Sequence, residues 1–193
     1  MIQGKDILNM FGIDDIIDLP EAVMRLIEGD SEKRTEVYKE MLKLADFDLS
    51  YDWFQQIYED ELSQRRQKKQ DFTPNSIGII AAGICGLQQR SVYEPTAGNG
   101  SMLIADWNAK MQQLLPWQYF PSKNIFECWE LSDRSIPILL FNLSIRGMMG
   151  IVYHGDVLEK KIKQKYILLN RKDDALAFSE IHKVNDNDII SEL

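Results

Sequence analysis

The stretch SVYEPTAGNGSMLIADW, residues 91–107, decides the fold. Its short apolar run leads through Glu94 and Pro95 into a turn that contains Gly98 and Gly100, and an amphipathic run follows. This order predicts a strand, a tight turn and a helix. Such a turn lets backbone N–H groups approach a ligand closely, because glycine has no side chain. The turn is therefore the candidate binding element of the chain.

Length and composition fit one domain with at most a small appendage. The chain has 193 residues, of which 45% are hydrophobic, enough for a packed core. It contains no apolar run of about 18 residues that would span a membrane. Its N-terminus mixes acidic and apolar residues, unlike a signal peptide. We therefore expect a cytoplasmic protein with no membrane partner.

The cysteines and histidines do not form a metal-binding pattern. Cys85 and Cys128 stand far apart, each among apolar neighbours, and so are expected to be core thiols of a reducing compartment. His154 and His182 are solitary. No metal site is predicted.

The formal net charge of −8 is unlike that of a chain that grips nucleic acid alone. Basic residues cluster only locally, at 65–69 and 159–172. Each cluster is either a solvated surface or a patch that faces DNA.

The first third of the chain is predicted to be helical. Apolar residues recur there at spacings of three and four, and one helix face carries Trp53, Phe54, Ile57 and Tyr58. We expect a helical N-terminal segment (residues 1–66), a ligand-binding domain (67–172) and a loose acidic tail (173–193).

Beyond residue 71 strands alternate with helices. Strands are predicted at 91–94, 124–130, 150–156 and 165–170, with helices near 101–115 and 132–147 between the first three. This alternation is typical of an α/β protein with a parallel, doubly wound sheet.

Two common phosphate-binding glycine motifs do not fit this turn. A P-loop needs a lysine followed by serine or threonine after its second glycine, whereas Ser101 and Met102 follow Gly100. A dinucleotide fingerprint needs a third glycine where Leu103 stands. In addition, Glu94 at the strand end would repel a pyrophosphate.

A ligand with positive groups fits better. S-adenosylmethionine carries an ammonium, a sulfonium and a carboxylate, and Glu94 would hold the ammonium or a water. Glu130 ends the next strand, where a carboxylate binds ribose hydroxyls in doubly wound folds. Asp156 ends the third strand and would accept from the adenine amine, with Val157 offering an N–H to the ring. Each of the three predicted parallel strands thus ends in an acid.

Residues from about 54 to 158 resemble the modification subunits of type I restriction–modification systems, which are N6-adenine DNA methyltransferases. The resemblance is carried by four motifs in order: FQQIYEDELSQRRQKKQDFTP, VYEPTAGNGSMLI, ELSDRSIPILLFN, in which Asn142 follows Glu130 by twelve positions, and GDVL. It implies a Rossmann-like sheet that binds S-adenosylmethionine, with a helical segment before it.

The resemblance also implies roles for individual residues. Phe72 and Thr73 would border the methionine end of the cofactor, Glu130 the ribose and Asp156 the adenine. The full set of predicted cofactor-binding residues is Phe72, Thr73, Pro74, Glu94, Pro95, Thr96, Ala97, Gly98, Gly100, Glu130, Leu131, Asp156 and Val157.

The sequence departs from the family at the catalytic motif, Asn/Asp-Pro-Pro-Tyr/Phe. This motif follows the family's fourth strand, and it holds the amino group and stacks on a flipped adenine. Here Asn170 stands at the expected place, but Arg171, Lys172 and Asp173 replace Pro-Pro-Tyr. The chain also ends where the family's remaining strands would begin. Asn170 is thus a weak catalytic candidate, and the catalytic half is expected to be missing.

Three functions are therefore open. The first is a cofactor-binding domain that lacks normal catalysis alone and reaches DNA through a specificity or catalytic subunit. The second is an active adenine methyltransferase with a diverged catalytic motif. The third is an interaction module with a vestigial cofactor site. Methylation of a protein or small molecule fits the order of the motifs less well.

Overall fold

The computed structural model describes residues 2–55, 57, 75–85 and 91–184, without the side chains at 75, 79 and 85. Its longer helices are α1 (Gly4–Phe11), α2 (Leu19–Glu28), α3 (Ser31–Leu44), α4 (Asn75–Cys85), α5 (Ser101–Met111) and α6 (Ser135–Ile145). Its strands are β1 (Ser91–Glu94), β2 (Ile125–Glu130), β3 (Gly150–Asp156), β4 (Lys161–Leu169) and β5 (Glu180–Val184). None of the helices within these ranges is long and apolar enough to cross a membrane.

The protein is α/β, as predicted, with one five-stranded sheet in the order β1-β2-β3-β4-β5. Strands β1, β2 and β3 are parallel, and α5 and α6 connect them, an arrangement compatible with a Rossmann-like fold.

The sheet is not wholly parallel, and this part of the prediction is wrong. Strand β4 runs antiparallel to β3, and β5 runs antiparallel to β4. The turn between β3 and β4 spans only residues 157–160, and so short a connection joins antiparallel neighbours. A parallel neighbour needs a crossover of about a dozen residues or more. Gly155 permits the close approach of the two strands, because a Cβ there would lie 2.2 Å from the carbonyl oxygen of Lys161.

The predicted loose tail is corrected as far as residue 184. Strand β5 pairs with β4 from Glu180 to Val184. Before it, Ala175 is buried and the hydroxyl of Ser179 donates to the carbonyl oxygen of Met148 at 2.8 Å. Residues 185–193 lie outside the described residues.

The N-terminal segment contains helices and no strand within residues 2–55 and 57. It packs on α6 through Phe141, whose ring makes edge contacts with Tyr38 at 4.9 Å and Phe54 at 5.5 Å between centroids. Trp53, Phe54 and Ile57 are buried, as their spacing predicted. Tyr58 and the rest of the segment to residue 66 lie outside the described residues.

One face of the sheet forms the core with these helices. Phe126, Cys128, Val152 and Leu168 on this face are all buried. Burial and nearby carboxylates raise the pKa of the Cys128 thiol, which is a core thiol as predicted. The side chain of Cys85 lies outside the described residues.

Candidate functional site

The three predicted acids lie at the carboxyl edge of the parallel strands. Glu94 is paired with Cys128, which lies two residues before Glu130, and Glu130 is paired with His154, which lies two residues before Asp156. From β1 to β3, each acid therefore lies one step further along the strand direction than the acid of the strand before it. Each step is two residues, or about 7 Å along a strand.

The carboxylate of Glu130 holds the glycine turn in place. Its Oε2 accepts from the backbone N–H of Gly98 at 2.7 Å, and its Oε1 accepts from that of Ser132 at 2.7 Å. The N–H of Ala97 donates to the carbonyl oxygen of Trp129 at 2.9 Å. The turn after β1 is thus fastened to the end of β2. A carboxylate has about four acceptor positions, so Glu130 retains capacity for a ligand hydroxyl.

The two turn glycines serve different purposes. Both have positive φ, +56° at Gly98 and +93° at Gly100. Among the described residues, no atom other than those of Gly98 and its chain neighbours lies within 4 Å of a Cβ position on Gly98, so this part of the chain leaves the space beside it open. A Cβ on Gly100 would lie 2.9 Å from Leu139 Cδ1 of α6. Gly98 is therefore the position where a ligand can approach the backbone, whereas Gly100 allows the turn to pack on α6.

Glu94 is half-buried, and burial raises the pKa of its carboxyl above the usual range. A cationic group placed beside this carboxylate would favour its ionised form and lower that pKa again. The site is thus electrostatically suited to a ligand that carries an ammonium.

Asp156 shapes the turn that follows β3. Its Oδ1 accepts from the backbone N–H of Leu158 at 2.9 Å and from that of Glu159 at 3.0 Å. Because Oδ1 carries these bonds, the predicted contact with an adenine amine falls to Oδ2. Val157 lies in the same turn, and Leu131 is 54% exposed just after β2.

The other predicted contacts divide into two groups. Pro95 and Thr96 are exposed at the start of the glycine turn, whereas Ala97 is buried. Phe72, Thr73 and Pro74 lie outside the described residues.

Asn170 does not join this edge, so its expected place is corrected. Because β4 is antiparallel, its carboxyl end lies beside the start of β3, at the opposite edge of the sheet. Asn170 is buried there, and its Nδ2 is within hydrogen-bond distance of the carbonyl oxygens of Gly147 at 3.1 Å, Asp174 at 2.8 Å and Ala177 at 3.2 Å. The residue stabilises the connection from β4 to β5.

Sequence reasoning assigned no role to a buried polar group behind the turn. Asn142 of α6 donates from Nδ2 to Asp52 Oδ1 at 2.9 Å and to the carbonyl oxygen of Asn99 at 3.0 Å. The available signal was an asparagine inside the apolar run IPILLFNLSI, because a buried amide needs hydrogen-bond partners. Nothing in the sequence identified Asp52 as that partner.

Comparisons with known proteins add no family. No protein-family model matches the chain, and no curated protein or solved structure is significantly similar to it. Within the ranges given above, no group of three or more His, Cys, Asp and Glu side chains is placed to hold a metal ion.

We predict that Asn170→Ala lowers the free energy of unfolding by about 2–4 kcal/mol, because buried carbonyl groups lose their donor. The affinity for a ligand at the carboxyl edge should not change, since Asn170 lies at the other end of the sheet. Urea denaturation and titration calorimetry measure the two effects. Asn9→Ala, at an exposed position of α1, is the matched control. A loss of affinity without a loss of stability would contradict the structural role.

Proposed function

We propose that the chain binds S-adenosylmethionine at the carboxyl edge of β1, β2 and β3. The observation that carries the proposal is the link from Glu130 to the backbone of Gly98, beside which the described residues leave open space, at the sheet edge that also carries Glu94 and Asp156. The site thus offers a carboxylate for an ammonium, carboxylate acceptors for hydroxyls and a separate acid for an amine.

In this binding mode the methionine end lies over the glycine turn, close to Glu94. The ribose hydroxyls bind Glu130, and the adenine amine donates to Asp156 at the end of β3.

We further propose that this is the cofactor-binding domain of an N6-adenine DNA methyltransferase like the modification subunits of type I restriction–modification systems. The support is the order of the four sequence motifs. In this proposal the chain lacks normal catalysis on its own, because Arg171, Lys172 and Asp173 replace the proline pair and aromatic ring of the family's motif, and Asn170 lies at the opposite edge of the sheet.

Contact with DNA is proposed to occur through a partner subunit. The net charge of −8 opposes association with a polyanion. A partner subunit that supplies basic residues and the catalytic motif would provide both missing functions.

The first test is cofactor binding. Asp156→Asn keeps an oxygen for the turn amides but replaces the other oxygen by a donor, which cannot accept from the adenine amine. We expect wild type to bind S-adenosylmethionine in calorimetry and the variant to lose about 1–3 kcal/mol of binding free energy. Glu40→Gln, at an exposed position of α3, controls for the loss of charge. No saturation of the wild type at millimolar ligand would refute the proposal.

A second test uses pH. Protonation of Glu94 removes its charge and its attraction for the ligand ammonium. Burial raises the pKa of Glu94. As the pH is lowered, the affinity should therefore begin to fall at a higher pH than it would if Glu94 had the pKa of an ordinary glutamate. Glu94→Gln should bind more weakly and lose this acid limb. A wild-type affinity that is flat down to the unperturbed glutamate pKa of about 4.3 would exclude Glu94 as the ammonium partner.

A third test is methyl transfer. We expect the isolated chain to leave unmethylated DNA unmodified, because loss of the stacking ring costs roughly 1–3 kcal/mol and loss of a fixed polar acceptor about 100-fold or more in rate. Tritiated methyl incorporation at low salt measures this, with and without candidate partner subunits. Incorporation by the chain alone would show that catalysis resides elsewhere in this sequence, and activity only with a partner would support the split arrangement.

A further inference from the structure

A buried hydrogen-bond chain connects the N-terminal segment to the glycine turn. It runs from Asp52 Oδ1 to Asn142 Nδ2 over 2.9 Å, and from Nδ2 to the carbonyl oxygen of Asn99 over 3.0 Å. All three residues are buried. Both hydrogens of the Asn142 amide thus have acceptors. One acceptor is Asp52 in the N-terminal helical segment, and the other is Asn99 in the glycine turn.

Arg146, which directly follows α6, holds the Asp52 end of this series of hydrogen bonds. Its Nη1 donates to the carbonyl oxygen of Asn142 at 2.7 Å, its Nε donates to that of Leu49 at 2.9 Å and its Nη2 donates to that of Tyr51 at 2.6 Å. The guanidinium also lies over the ring of Trp53, 4.6 Å from its centroid. The backbone just before Asp52 is therefore held on α6, so the Asp52 carboxylate reaches Asn142 from a fixed position.

We infer that Asp52 and Asn142 are positioning residues, through which the N-terminal segment sets the ligand-binding conformation of the glycine turn. The inference rests on the proposed function for the identity of the ligand. Two side chains hold the turn from opposite directions: Glu130 fixes the N–H of Gly98, and Asn142 fixes the carbonyl of Asn99. Release of either would let the peptide between them rotate, and the backbone beside Gly98 would lose its fixed orientation.

A second contact between the same segment and α6 provides the contrast. The hydroxyl of Tyr38 is hydrogen-bonded to Ser144 Oγ, and both groups are buried. This bond also ties the helical segment to α6. However, Ser144 Oγ continues to the carbonyl of Phe141 and not to the turn. Loss of this bond should therefore cost stability alone.

The side chain of Asp52 allows the two effects to be separated. Its Oδ1 accepts both from Asn142 and from the backbone N–H of Phe54 at 3.0 Å. Asp52→Ser keeps a local acceptor for Phe54 but is too short to reach Asn142. Asp52→Asn keeps an Oδ1 for both donors, removes the charge and replaces the unpartnered Oδ2 by an NH2 group.

The experiment compares these variants with Tyr38→Phe by S-adenosylmethionine calorimetry, thermal melting and amide hydrogen exchange of residues 96–104 without ligand. We expect Asp52→Ser and Asn142→Ala to weaken binding about tenfold or more and to speed exchange in the turn. Asp52→Asn should stay within about threefold of wild type. Tyr38→Phe should lower the melting temperature with unchanged affinity and unchanged exchange in the turn.

Two outcomes would overturn the inference. One is wild-type turn exchange in Asp52→Ser, and the other is an equal loss of affinity in Tyr38→Phe at a matched loss of stability. If the wild type fails to bind S-adenosylmethionine, the proposed function fails. The exchange measurement then still decides whether Asp52 holds the turn, because it needs no ligand.

Discussion

Every residue of α6 from Ser135 to Ile145 is buried, and the rest of the described structure is arranged around that constraint. A helix that is apolar on all sides must be covered on all sides. The sheet covers one side, and α2, α3 and residues 49–54 cover another. The N-terminal helices therefore belong to the same core as the sheet.

The few polar groups of this buried helix determine how the N-terminal helices dock on it. Ser144 and Asn142 cannot be left without partners, because an unsatisfied buried polar group costs about 1–3 kcal/mol. Tyr38 and Asp52 supply the partners. Burial raises the pKa of Tyr38 to about 12, so its hydroxyl stays neutral near pH 7. Apolar contacts provide most of the driving force here, and these polar pairs fix the relative position of the two layers.

The local sequence pattern predicted the part of the fold in which a helix connects each strand to a parallel neighbour. The order of β1, α5, β2, α6 and β3 follows from hydrophobic spacing and from the glycine turn. The direction of β4 could not be read from its own residues, because an apolar run looks the same in either direction. The spacing held the clue: even the eight residues predicted between the third and fourth strands are too few for a crossover. Strand β5 was missed because its five residues are mostly polar and half-exposed.

The candidate site divides in the same way. Strand ends place Glu94, Glu130 and Asp156 at one edge, so these positions followed from the sequence. The bonds that fix the turn join residues 32 to 90 positions apart, and no local pattern reports them. Asn170 was misplaced because a motif match assigns a chain position, whereas its place in space depends on the direction of β4.

The antiparallel hairpin also determines where a methyl acceptor can approach in the proposed binding mode. The adenine lies toward β3, so β4 and β5 extend the sheet on the adenine side. The methionine arm lies over the turn after β1, and β1 ends the sheet among the described strands. In that mode, the turn after β1 lies on the side that the hairpin does not cover. A partner that supplies the missing acceptor-binding residues would have to approach there, beside Glu94 and the open space at Gly98.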